Sequence, residues 1–146
     1  MGRTSLHGPR GHRMARILVV DDSREIRTVL RQALEHVGHR VDVAEDGWKA
    51  MVGFRARGAD LVIMDLLSPG AELPQTISEL RSMSGRVKIL AMSRQSELGG
   101  NTRQAPANAL GVDGAICKPF RLVELLLAVD GLVPRGGAAV LFGACQ

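Results

Sequence analysis

The sequence predicts an α/β fold, a doubly wound, five-stranded parallel sheet of flavodoxin-like order 2-1-3-4-5 with helices on both faces. Three observations carry this. Short apolar runs recur along the chain and alternate with stretches whose apolar residues repeat at helical spacing, the pattern of successive β then α units. The runs are continuous, as in Ile17 to Val20 (ILVV) and Leu61 to Leu67 (LVIMDLL), which suits strands buried on both faces of a parallel sheet. Each run also ends in a polar group, and right-handed crossovers would gather those ends on one edge, where open α/β sheets bind ligands.

The elements follow in order. Residues 1–13 (MGRTSLHGPRGHR) show no periodicity and are expected to be disordered. The first strand, Ile17 to Val20, ends in the acidic pair Asp21 and Asp22. Ser23 is a natural N-cap for a helix carrying Ile26, Val29, Leu30, Ala33, Leu34 and Val37, which Gly38 stops. Arg40 to Glu45 alternates apolar and polar as an edge strand should. A second helix starts after Asp46, sets Trp48, Met51 and Val52 on one face, and ends near Gly58. The third strand brings Asp65 to its end. Ser68, Pro69 and Gly70 then make a loop, and Pro74 suits the first turn of a helix bearing Ile77, Leu80 and Met83. Val87 to Met92 (VKILAM) is a fourth strand ending in Ser93. A fourth helix, interrupted by Pro106, leads to Leu110; Ala115 to Cys117 form a fifth strand ahead of Lys118, and Leu122 to Val129 form the last helix.

Composition bounds the function. The 146 residues fit one domain, and no apolar run reaches the roughly 20 residues that a membrane helix needs. No signal-peptide core follows the basic start, so a soluble cytoplasmic chain is expected. The net charge is +4, but residues 1–16 hold Arg3, Arg10, Arg13 and Arg16 and no acid, leaving 15 of the 19 basic residues against 15 acids in the remainder. A neutral body with Trp48, Phe54, Phe120 and Phe142 as its aromatics offers little to a nucleic acid. Cys117 and Cys145 lack metal-ligand or CxxC spacing and read as free thiols. The four histidines show no pairing with a nucleophile and read as solvated.

Asp21, Asp22, Asp65, Ser93 and Lys118 are therefore the candidate site. Taken singly, an Asp or Ser after a strand is most often a turn or cap residue. Taken together, they place three carboxylates on adjacent strands about 5 Å apart, a repulsion that a hard cation such as Mg²⁺ relieves with oxygen ligands. Lys118, two strands and roughly 10 Å from Asp65, is long enough to cross.

These residues, in VVDDS, LVIMDLL, ILAMS and CKPF, resemble in order and separation the receiver domain of two-component response regulators, over about Arg16 to Gly131. The resemblance implies that Asp65 accepts a phosphoryl group from a histidine kinase or a histidine phosphotransfer protein. It also implies that Asp22, Asp65 and the carbonyl of Leu67 ligate Mg²⁺ with Asp21 linked through water, that Ser93 and Lys118 hold the phosphoryl oxygens, and that the Lys118–Pro119 bond is cis. On this reading residues 1–15 are a leader, 16–131 the receiver domain and 132–146 a tail without an effector domain. Such a module is no enzyme beyond slow self-dephosphorylation.

Three departures stand out. Position 115 is Ala where the family usually has Tyr or Phe, Arg94 follows Ser93 where a small residue is usual, and the loop LLSPGAEL lacks the family's usual pieces apart from Pro69. Output is expected through protein contacts with a downstream target. The last helix is apolar on more than one face, which predicts a homodimer or partner interface, or burial by the apolar tail. Two alternatives are an adaptor whose switching has decayed and a metal-dependent phosphatase or nucleotide-binding enzyme. No GxGxxG or GxxxxGK[ST] supports the last.

Overall fold

A computed structural model describes residues 14–66, 73–94 and 111–133, with main chain alone at 73, 74 and 94. Among the described residues, nine elements follow one another: β1 (Arg16–Val20), α1 (Arg24–His36), β2 (Arg40–Ala44), α2 (Gly47–Arg57), β3 (Leu61–Asp65), α3 (Leu73–Met83), β4 (Lys88–Arg94), β5 (Gly114–Lys118) and α4 (Leu122–Leu132). The sheet order is β2-β1-β3-β4-β5 with every neighbouring pair parallel, the predicted architecture. The helix expected before Leu110, the loop at Ser68 to Gly70 and Cys145 lie outside the described residues.

Continuous apolar strands make two cores. Ile17, Val19, Ile63, Leu90 and Met92 face α1 and α4, which contribute Leu30, Leu34, Leu125 and Val129. Leu18, Val20, Val62, Met64 and Ile89 face α2 and α3, which contribute Ala50, Met51, Phe54, Ile77 and Leu80. Alternate residues of each strand thus serve opposite faces, as pleating demands.

Helix starts follow from local chemistry. Ser23 Oγ accepts from the Ile26 amide at 3.2 Å and Asp46 Oδ1 from the Lys49 amide at 2.8 Å, each satisfying a donor that the helix leaves orphaned. Glu124 accepts from the Arg121 amide at 3.2 Å at the head of α4. Gly58 ends α2 with φ 74°, a left-handed conformation in which only glycine is unstrained.

Several expectations need correction. In α2, Met51 is buried, but Trp48 is 71% exposed and Val52 also faces solvent. The buried face is Gly47, Ala50, Met51 and Phe54, because small residues let the helix axis approach the sheet. Val29 and Met83 are likewise exposed at the margins of α1 and α3. Strand β4 continues through Ser93 and Arg94, which pair with Cys117 and Lys118. The last helix runs to Leu132 instead of Val129, past Gly131. Among the histidines, His39 is buried, and its Nδ1 accepts from the Ala15 amide at 3.1 Å.

The amino end of the sheet is closed by such pairings. Asp60 accepts from the Arg16 amide at 2.9 Å. Asp113 accepts from the Ile89 amide at 2.8 Å and pairs with Arg81 at 2.9 Å, while Arg81 also donates to the carbonyls of Val87 and Gly111.

Candidate functional site

The site is built on the carboxyl ends of β1, β3, β4 and β5. Because Val20 stands opposite Met64, the next step of the register sets Asp21 beside Asp65. Asp21 is fully buried and held at every polar atom. Its amide donates to Ala44 of β2 at 3.1 Å, and its carbonyl accepts from Arg27 Nη1 of α1 at 2.8 Å. Its Oδ1 accepts from the Ser23 amide at 2.8 Å, and its Oδ2 from Lys118 Nζ at 3.0 Å. Asp65, also buried, closes β3, and the following residue stays in the ladder because the Leu66 amide donates to Met92 at 2.9 Å. Asp22 is exposed.

Carboxylate oxygens of Asp21, Asp22 and Asp65 lie within 4.8 Å of one another. Octahedral Mg²⁺ with bonds of about 2.1 Å sets its ligand oxygens about 3 to 4 Å apart, so these three acids fit one such ion after a small contraction. The donor set, all oxygen and anionic, is that of a hard divalent cation.

Lys118 ends β5, two strands from Asp65, and its peptide bond to Pro119 is cis. Its ammonium spans that gap to stand 3.0 Å from Asp21 and 3.6 Å from Asp65. Near 4 Å and an effective dielectric of 20, such a pair attracts by about 4 kcal/mol, so the lysine offsets part of the repulsion among the acids. Its shorter contact is with Asp21, which the sequence did not suggest. Ser93 lies one residue beyond Met92, the register partner of Asp65. It is 1% exposed, and among the described residues its Oγ has no hydrogen-bond partner. A buried hydroxyl without a partner costs about 1 to 3 kcal/mol, which makes this atom a donor waiting for an acceptor.

All the candidate side chains of Asp21, Asp22, Asp65 and Lys118 thus converge, and Ser93 borders them on the neighbouring strand. Leu67 lies outside the described residues. Sequence reasoning missed Arg27, whose position one helical turn after the Ser23 cap was the available signal. Cys117 is a free thiol, opposite Ser93 in the β4–β5 register.

The doubly wound sheet and its carboxylate-rich edge are those of a receiver domain, and residues 17–130 match the family model of the response regulator receiver domain. The chain belongs to that family. It is 34% identical over 120 residues to the response regulator MprA of Mycolicibacterium vanbaalenii, covering 82% of this chain and 51% of that protein. It is 30% identical over 124 residues to the sensory transduction protein RegX3 of Mycobacterium tuberculosis, covering 85% and 53% respectively. The chain therefore spans about half the length of these curated relatives. Among solved structures, it resembles the chemotaxis response regulator CheY4 of Vibrio cholerae with a TM-score of 0.73 and 26% identity, over 83% of this chain and all of that one. It resembles the response regulator TrrA of Thermotoga maritima, solved with Mg²⁺ and BeF, with a TM-score of 0.68 and 32% identity, over 82% of this chain and all of that one. Among the described residues, no helix is long and apolar enough to cross a membrane.

Proposed function

We propose that this chain is a response regulator receiver domain in which Asp65 accepts a phosphoryl group from a phosphohistidine of a histidine kinase or a histidine phosphotransfer protein. A carboxylate oxygen of Asp65 attacks phosphorus, the phosphorus–nitrogen bond to the donor histidine breaks, and an acyl phosphate forms. Phosphoryl transfer asks little covalent work of a protein, so the residues serve chiefly to position groups and neutralise charge. Asp22 and Asp65, with Asp21 behind them and the Leu67 carbonyl as a further ligand, would hold Mg²⁺, which supplies positive charge to the phosphoryl oxygens when bound. TrrA, a relative by fold and sequence, was solved with Mg²⁺ and BeF, and this supports the assignment. Lys118 swings from the acids to a phosphoryl oxygen, and Ser93 Oγ donates to another.

The observation that carries the reading is the ammonium of Lys118 set between Asp21 and Asp65, 3.0 and 3.6 Å away, at an edge where three carboxylates meet. On this reading residues 16–131 are the receiver domain, flanked by a leader at 1–15 and a tail at 132–146. The chain works in the cytoplasm, signals by protein contacts with a downstream target, and turns over no substrate beyond its own slow dephosphorylation. One feature favours the adaptor reading instead. Position 115, which pairs with Ala91 in the β4–β5 register, is Ala and supplies no aromatic ring to follow a movement of Ser93.

The test is to incubate the protein with Mg²⁺ and acetyl phosphate and weigh it intact. One added phosphoryl group that is absent in Asp65→Asn is expected. No addition while Mg²⁺ binds would transfer the protein to the adaptor class, and addition that persists in Asp65→Asn would assign the acceptor elsewhere.

A further inference from the structure

Helix α1 sends Arg27 back towards the strand that precedes it. Arg27 is the fourth residue after the Ser23 cap, its amide closes the first turn on the Ser23 carbonyl at 3.1 Å, and helical side chains lean towards the amino end. Its half-buried guanidinium thereby meets the carboxyl end of β1, where Nη1 donates to the Asp21 carbonyl at 2.8 Å. We infer that Arg27 is a positioning residue of the metal site, which fixes the main chain of Asp22 so that its carboxylate stays with those of Asp21 and Asp65. This role rests on the proposed function, in which these acids hold Mg²⁺.

The planarity of the peptide unit makes this bond consequential. The Asp21 carbonyl and the Asp22 amide belong to one rigid plane, so a donor on that carbonyl limits rotation about ψ of Asp21 and φ of Asp22 together. The plane on the other side of Asp22 is held as well, because the Ser23 amide donates to Asp21 Oδ1 at 2.8 Å. Asp22 therefore sits between two pinned planes. Its carboxylate is exposed and among the described residues has no hydrogen-bond or ion-pair partner, yet it lies within 4.8 Å of the other two acids. The main chain aims it. Of the two pins, the one at Ser23 is built from Asp21 itself, whereas the one from Arg27 can be withdrawn without touching an acid.

The sign of the effect separates this role from that of a bystander charge. A guanidinium beside a cation site repels the cation, so its removal as a charge alone would tighten Mg²⁺ binding. Its removal as a pin weakens binding, because groups that orient metal ligands typically carry about tenfold or more of the affinity.

The experiment titrates the full chain with Mg²⁺ by calorimetry and follows amide exchange in the metal-free protein by NMR. Arg27→Met is expected to weaken Mg²⁺ binding about tenfold and to speed exchange of the Ser23 amide, while the urea midpoint stays that of a folded protein. Arg31→Met removes the same charge one turn further along α1, from an exposed pair with Glu35, and is expected to leave both readouts unchanged. Asp113→Ala, destabilised at the opposite end of the sheet, is expected to keep the parent's Mg²⁺ affinity, which separates loss of position from loss of stability. Equal or tighter Mg²⁺ binding by Arg27→Met, or a Ser23 amide as protected in that variant as in the parent, would overturn the inference and leave the proposed function standing. A parent that binds no Mg²⁺ would overturn the proposed function and this role with it.

Discussion

The two ends of the sheet solve the same problem in opposite ways. At the amino end, charged and polar groups are matched: Asp60 to the Arg16 amide, His39 to the Ala15 amide, and Asp113 to both Arg81 and the Ile89 amide. At the carboxyl end three carboxylates gather, the Lys118 ammonium reaches two of them, and among the described residues the buried Ser93 hydroxyl has no partner. The same parallel strands run between them, so the fold does not force the imbalance. A satisfied edge holds loops in place. An edge whose described residues gather three acids and a spare donor is arranged to receive a cation and an anionic group from outside.

That contrast can be broken from either side. The largest effect is expected from Lys118→Met, which leaves the buried Asp21 carboxylate facing Asp65 without its counter-ion and should cost about 3 kcal/mol in urea unfolding. Saturating Mg²⁺ should restore much of that loss, because a bound cation stabilises the folded state in proportion to its occupancy. Failure of Mg²⁺ to do so would mean that the acids do not share an ion. At the satisfied end, Asp113→Ala strips an acceptor from the Ile89 amide and a partner from Arg81. A loss of about 2 kcal/mol is expected, with no change in a Mg²⁺ titration followed by calorimetry. Asp65→Asn should move stability the other way, raising the metal-free protein by about 1 kcal/mol as like-charge repulsion falls, and the thermal midpoint reads this. The smallest effect belongs to Ser93→Ala. Because its Oγ has no partner to lose, the substitution should be neutral or stabilise by about 0.5 kcal/mol, while the acyl phosphate accumulates to a lower level in the acetyl phosphate assay.

Legibility in the sequence divides along the same line. The carboxyl end was readable because β-strand periodicity places residues by counting: an apolar run followed by Asp65, or by Asp21 and Asp22, fixes both the strand and the edge on which its polar terminus falls. The amino end was not. Pairings such as Asp113 with the Ile89 amide join a side chain to a main-chain group 24 residues away, and neither has a pattern to betray it. His39 was misjudged as solvated for that reason. Helix α2 misled because apolar residues surround it, and the face that wins is the one whose small members, Gly47 and Ala50, permit close approach. The extension of β4 through Ser93 and Arg94 was hidden because polar residues usually end a strand, whereas here pairing with Cys117 and Lys118 continues it.

Asp21 has one consequence for any attempt to dissect the acids. Through its four bonds it ties β1 to β2, to the head of α1 and to Lys118, a residue 97 positions away. Replacing it unpicks a knot in the polypeptide as well as subtracting a charge. Asp22 stands in solvent at the same corner, and it is there that a negative charge can be lifted away while the weave beneath stays whole.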